Sequence, residues 1–153
     1  MSEAPLAEVE EILHSLGLYH SKAKNLIALA TEIVETSAGE IPHDRAELMK
    51  LPGVGKKTSG VFLAERYDIP AIPVDTHIKR VATRLGYAKR IDAPDVIEGR
   101  LEKDFSPEDW IFLHHALIEF GRTVCHARVP NCGSCGLSET CPYFKKNFST
   151  KGK

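Results

Sequence analysis

Two stretches of the sequence hold side chains whose types and spacing suit chemistry. The first is "LPGVGKKTSG" at residues 51–60, with a proline, two glycines two apart and then two lysines. Gly53 and Gly55 can take positive φ and let a foreign backbone come close, while Pro52 sets the first turn angle. The apolar run that follows reads as a helix starting at Lys56 or Lys57, whose unpaired N–H groups and positive dipole end suit an anion. The second stretch holds Cys125, Cys132, Cys135 and Cys141, spaced C-x6-C-x2-C-x5-C. In a chain with no secretory signal, four clustered thiols read as metal ligands and not as a disulfide framework. Zinc and an iron–sulfur cluster both accept four thiolates, and the spacing alone leaves the two open.

Two phosphate-binding motifs fail on the glycine stretch. A P-loop needs glycine where Lys50 sits and Ser or Thr where Lys57 sits. A dinucleotide fingerprint needs a preceding strand and a third glycine where Thr58 sits. What remains is helix, tight turn, helix, which suits a nucleic-acid phosphate and reads shape instead of sequence. An ordinary helix–helix turn is the structural alternative.

The elements around these stretches read as helices. Leu6, Val9, Ile12, Leu13 and Leu16 fall at helical spacing. Ser21 is expected to cap a second helix with Ala23, Leu26, Ile27, Ala30, Ile33 and Val34 on one face and Gly39 past its end. Asp44 and Glu47 resemble a capping box for a short helix ending near Lys50. "DIPAIPVDTH" breaks the pattern, because Pro70 and Pro73 lack N–H donors and force extended geometry on their predecessors; it is the expected domain hinge. Asp75 or Thr76 then caps a helix that Gly86 stops, Pro94 opens the next, and Ser106, Pro107 and Asp109 start a long one through Val124. That helix is apolar around most of its circumference, so it is expected at the buried centre of the second unit. No segment alternates as a strand, no repeat is visible, and the fold class is all-α, with domains at 1–70 and 71–153.

The 153 residues are 42% hydrophobic with a net charge of −1, enough for one or two units with a real core. The charge is uneven: residues 1–50 hold nine acidic and four basic side chains, and residues 51–153 hold twelve and sixteen. The tail "KKNFSTKGK" is strongly basic, which permits nucleic-acid binding without demonstrating it. No run approaches the length needed to span a bilayer, and "MSEAPLAEVEE" is acidic where a secretory signal is basic and then apolar. The expected place is the cytoplasm, with no membrane partner.

Taken together, "LPGVGKKTSG", "VDTH" at 74–77 and the cysteine spacing resemble the endonuclease III family of helix-hairpin-helix DNA glycosylases. The resemblance runs from about Leu6 to Tyr143 and includes "GLYHSKAKNL" at 17–26 and "FGRTVC" at 120–125. It implies a helix-hairpin-helix domain, a helical domain with a [4Fe-4S] cluster on the four cysteines, and double-stranded DNA with a damaged base or abasic site as partner. Lys57 matches the family's nucleophile, which attacks C1′, releases the base and forms a Schiff base that permits β-elimination. Asp75 matches the aspartate that assists base departure, and Leu51, Pro52, Gly53, Val54, Gly55 and Lys56 match the turn that holds the DNA backbone. A lysine at the nucleophile position favours combined glycosylase and lyase activity, and oxidised pyrimidines are the family's usual substrates. A free lysine amine titrates near ~10.4, so a nucleophile needs desolvation or a cationic neighbour; Lys56 and the helix N-terminus supply positive potential beside Lys57. Asp75 has a purely structural alternative as a helix cap.

The match also departs from the family. A helical segment normally lies ahead of the region matched by Leu6, so the chain is expected to be a fragment, an incorrectly started reading frame, or one half of a split protein whose companion polypeptide supplies the missing helices. The loop "HARVPN" between Cys125 and Cys132 holds one cation, Arg128, where relatives often place several against DNA, and weaker, less salt-sensitive binding is expected. His77 and Arg80 are expected to support the aspartate loop or to pack, His114 and His115 to be hydrogen-bonded core or interface groups, and His126 to adjoin the cluster. The competing functions are a non-catalytic DNA-binding fragment and a zinc-stabilised interaction domain.

Overall fold

The structure is a computed structural model that describes residues 1–148; the last five residues of the basic tail lie outside the described residues. It is built of α1 (Leu6–Leu13), α2 (Tyr19–Ser37), α3 (Arg45–Leu48), α4 (Lys56–Tyr67), α5 (Thr76–Leu85), α6 (Pro94–Asp104), α7 (Trp110–Thr123) and α8 (Pro142–Phe148). Short 3-10 turns cover Pro107–Asp109 and Cys132–Ser134, and no strand occurs among the described residues. The fold is all-α. No described helix is long and apolar enough to cross a membrane. The chain forms two compact units, Met1–Ser59 and the residues from Gly60 onward.

In the first unit α1 packs on α2, and Val9, Ala23, Leu48 and Leu51 are buried. The Asp44 carboxylate accepts from the N–H groups of Ala46 (2.9 Å) and Glu47 (3.0 Å), which is why α3 starts where it does. The second helix corrects the expected Ser21 cap. It begins three residues earlier than that cap implies, at Tyr19, with Leu18 at φ 60° as a cap that has no side-chain bond. Left-handed geometry costs a leucine roughly 1–2 kcal/mol. Local contacts offset it: His20 Nδ1 lies 2.9 Å from Glu10 Oε1, and the Tyr19 ring packs 3.9 Å from His20 and 5.0 Å from His14.

In the second unit Ile72, Val74, Ile78, Ala82, Ala88, Ile97 and Leu101 form the core, with Phe105, Trp110, Leu113, Leu117 and Ile118 packed against it. The buried centre is therefore α5, where Ile78, Val81 and Ala82 lie inside. This corrects the expectation for the long apolar helix. Only His114 and Gly121 of α7 are buried, and Phe112 is 73% exposed. Among the described residues its main neighbour is α5. Gly121 permits that approach, since a Cβ there would sit 3.1 Å from both Arg80 Nη2 and His77 Cβ. The long helix is also shorter at its start, where Pro107–Asp109 form a separate 3-10 turn.

Between α4 and α5 the chain runs without regular structure, yet Ala71, Ile72, Pro73 and Val74 are all buried. Gly86, at φ 93°, closes α5, and Pro94 opens α6. These local signals act as the sequence implies.

Candidate functional site

The first unit presents the hairpin. Leu51 is buried and anchors the turn, and its carbonyl accepts from the Val54 N–H at 3.1 Å. Gly53 alone takes positive φ, at +75°, and a Cβ there would meet Asn25 Cβ at 2.7 Å. Of the two turn glycines that can take positive φ, Gly53 does and Gly55 does not. Gly55 has an ordinary φ, and a Cβ on it would touch nothing within 4 Å. Its lack of a side chain leaves open space in front of the backbone where α4 begins.

The first turn of α4 is fastened from below. Ser59 is fully buried, its hydroxyl donates to the Lys56 carbonyl at 3.0 Å, and its N–H donates to the Gly55 carbonyl at 3.0 Å. Arg45 Nη2 also donates to the Lys56 carbonyl, at 3.1 Å, tying α3 to α4. Lys57 lies on this turn and is exposed. A cleft opens beside the hairpin, lined by Leu16, Lys22, Leu26, Pro52, Val54 and Thr58 among others.

The second unit holds the other site residues. Asp75 is the N-cap of α5: its Oδ1 accepts from the Ile78 N–H at 2.8 Å. Its second carboxylate oxygen makes no hydrogen bond among the described residues, so the cap engages one oxygen and leaves the other unengaged. Two turns of α5 then carry Arg80 and Arg84 toward the cysteine loop. Arg80 donates to the Gly121 carbonyl (2.7 Å) and to the Cys125 carbonyl (3.1 Å), and its Nη2 lies 3.2 Å from His77 Nδ1. Arg84 donates to Cys125 Sγ at 3.2 Å, to the His126 carbonyl at 2.7 Å and to the Ala127 carbonyl at 2.9 Å. Its guanidinium sits 4.6 Å from the Tyr143 ring centroid.

Cys125, Cys132, Cys135 and Cys141 are free thiols, half-buried, and all four line one pocket of about 360 Å³ whose other walls include Phe120, Val124 and Leu137. The Leu137 N–H points at Cys135 Sγ, 3.4 Å away. Burial pushes the Cys132 thiol up, and the neighbouring Cys125, Cys135 and Cys141 sulfurs push it further. A thiol pushed up in this way keeps its proton unless a cationic centre takes its place. Among the described residues no three His, Cys, Asp or Glu side chains meet as ligands of a single metal ion. Four sulfurs around an apolar pocket, with N–H groups aimed at two of them, fit a larger thiolate-bound cluster.

Arg128 lies exposed in the loop after Cys125. His115 pairs with Glu65 at 2.9 Å on the surface, and His114 is buried. His126 lies in the cysteine loop, with Nε2 3.5 Å from Asn131 Nδ2. Sequence reasoning missed Arg84, Asn25, Arg45 and Ser59, since each acts through a partner distant in the chain or through a backbone atom. The one available signal was the i, i+4 spacing of Arg80 and Arg84 on α5, which places both on one face.

Residues 1–107 match the HhH-GPD superfamily of base excision DNA repair proteins. Endonuclease III of Escherichia coli K12 is 42% identical over 146 residues, covering 95% of this chain and 69% of that protein. The chain belongs to the endonuclease III family. The Bacillus subtilis endonuclease III is 45% identical over 137 residues, 90% of this chain and 63% of its own length. The chain thus spans less than two thirds of that relative. Among solved structures, a trapped endonuclease III–DNA covalent intermediate is 43% identical, superposes at a TM-score of 0.90 and covers 95% of this chain and 68% of its own. A thermostable thymine-DNA glycosylase, 24% identical at a TM-score of 0.74, covers 94% of this chain and 68% of its own and shares the fold.

Proposed function

We propose that this endonuclease III-family chain is a base excision repair glycosylase with AP lyase activity, acting in the cytoplasm on duplex DNA that holds an oxidised pyrimidine or an abasic site. The observation that carries the reading is Lys57, exposed on the first turn of a helix that follows an open glycine turn. The similarity to an endonuclease III trapped covalently on DNA supports it.

In this reading the backbone from Leu51 to Lys56 takes a phosphate, with Gly55 leaving room for the strand and the α4 N-terminus supplying N–H donors. The Lys57 amine attacks C1′ and the base departs with the electrons of its glycosidic bond. The C1′–O4′ bond then opens, O4′ taking a proton, to give a Schiff base that permits β-elimination of the 3′ phosphate. At an abasic site the amine instead adds to the C1′ aldehyde and water is lost. Since Lys57 is exposed, the bound strand supplies the dry surroundings that a neutral amine needs. The second oxygen of Asp75 accepts a proton or offsets positive charge developing on the sugar. Cys125, Cys132, Cys135 and Cys141 would hold a [4Fe-4S] cluster, which would supply a rigid centre for the surrounding loop. Arg80 and Arg84 orient that loop, and with it Arg128, toward a DNA phosphate.

Borohydride trapping on an abasic duplex and on an oxidised-pyrimidine duplex tests the proposal. A covalent adduct that disappears in Lys57→Ala is the expected result. Binding without any adduct in the unaltered chain would replace the enzyme with a DNA-binding module.

A further inference from the structure

Within the second unit a cleft distinct from the cysteine pocket opens between α5, α8 and the loop at Ala127, enclosing about 1390 Å³ of open space. Five cations line it: Lys79, Arg80, Arg84, Arg90 and Lys146. The hydroxyl-bearing Thr76 and Thr83 also line it, and no Asp or Glu does. That concentration of one sign is out of proportion to a chain whose net charge is −1.

The cations divide into two kinds. Arg80 and Arg84 are held by backbone carbonyls of Gly121, Cys125, His126 and Ala127, and the Lys79 amine by the Asp92 carbonyl at 2.8 Å. Neutral carbonyls fix Lys79 and Arg80 without cancelling their charge, while Arg84 also donates to the Cys125 sulfur. The nearby Asp92 carboxylate is itself occupied by Arg100 and by the Lys89 N–H. Arg90 and Lys146 are exposed and make no hydrogen bond or ion pair among the described residues. The cleft therefore combines a fixed positive floor with two adjustable donors at its rim. A concave, single-sign surface of this kind focuses potential on an anion. A single small anion would leave most of the space empty, whereas a chain of regularly spaced anions would fill it.

We propose that this cleft is a groove for the sugar–phosphate backbone of a nucleic-acid strand, separate from the glycine turn of the first unit. The inference rests on the proposed function, and it extends the contact surface to residues that no motif of the sequence singles out. Thr76 places one end of the groove next to Asp75, and Ala127 places it next to Arg128. Phosphate contacts of this kind position a duplex without reading its bases.

The test is the salt dependence of binding to an undamaged duplex by the full, cluster-loaded chain. Each phosphate contact contributes about 0.9 to the slope of log K against log salt. Arg90→Gln with Lys146→Gln is expected to lower that slope by about 1.8. The charge-matched pair Lys103→Gln with Arg122→Gln, which does not line the cleft, is expected to leave it unchanged. An unaltered slope in the first pair, or an equal fall in the second, overturns the groove. Thermal stabilisation of the parent chain by inorganic phosphate, abolished in the first pair while its slope stays unaltered, would make the cleft a free-anion site and likewise overturn it. If the parent chain fails to bind duplex at all, the proposed function falls and takes the groove with it.

Discussion

The Arg84 guanidinium donates to the Cys125 sulfur at 3.2 Å while the same side chain holds the carbonyls of His126 and Ala127. One arginine on α5 thereby fixes the first cysteine and the start of the loop that follows it. Hydrogen bonds to charged groups contribute about 1.5–3 kcal/mol each. Arg84→Gln is expected to lower stability by about 3 kcal/mol in urea unfolding and to speed loss of visible charge-transfer absorbance from the loaded chain. Arg84→Lys keeps the charge but not the planar fork, so it should recover less than half of the loss. Full stability in both variants would show that the loop holds itself.

The two hairpin glycines should separate stability from binding. Gly53→Ala forces a side chain into positive φ and against Asn25, at a cost of more than about 1 kcal/mol. Gly55→Ala meets nothing in the free chain, so its unfolding midpoint should stay within about 1 kcal/mol of the parent, while DNA affinity falls because the open space is filled. Equal behaviour of the two in paired urea and DNA titrations would refute this division.

Asp75 should show its two oxygens independently. Asp75→Asn keeps an acceptor for the Ile78 N–H, whereas Asp75→Ala loses the cap at a cost of about 1 kcal/mol. Unfolding should therefore distinguish the two variants, and borohydride trapping should be impaired in both. Trapping at the parent rate in Asp75→Asn would leave the residue a cap and nothing more.

Asp92 should matter in acid. The Lys89 N–H donates to its carboxylate at 2.7 Å, and with the Arg100 guanidinium this holds the carboxyl below its usual 3.8. A depressed value stabilises the folded chain above pH 3.8 and ceases to do so as pH falls through the lowered value. Parent and Asp92→Asn should thus differ in unfolding midpoint at pH 6 and converge at still more acid pH. A difference that persists unchanged into strong acid would place the effect elsewhere.

Phe112 lies on the outward side of α7. Phe112→Ser should change stability by less than about 0.5 kcal/mol, while Leu117→Ala, on the side packed against the core, should cost about 2 kcal/mol. Thermal unfolding of the pair checks which face of the helix is buried.

What the chain's letters revealed follows the range over which each interaction acts. Asp44, Asp75, Gly86 and Pro94 mark helix ends through atoms within four residues, so local patterns exposed them. The four cysteines were conspicuous because they crowd into the short stretch 125–141. Leu18 was hidden, because a left-handed leucine with no capping side chain leaves no compositional mark. Gly53 and Gly55 look alike until Asn25, twenty-eight residues upstream, is brought against one of them. The bond from Arg84 to Cys125 spans forty-one residues and depends on how α5 meets the loop after α7. Periodicity likewise overstated the burial of α7, because an all-round apolar helix says nothing of which side acquires a neighbour.

The buried run from Ala71 to Val74 has one more consequence. An irregular segment inside a core must satisfy its backbone donors, and Pro73 lowers that demand by having none. With Ile72 and Val74 packed beside Ile78, the peptide leading into Asp75 behaves as masonry, not as a tether. The carboxylate is thus preset by packing, and amide exchange through 71–75 should be as slow as in the centre of α5.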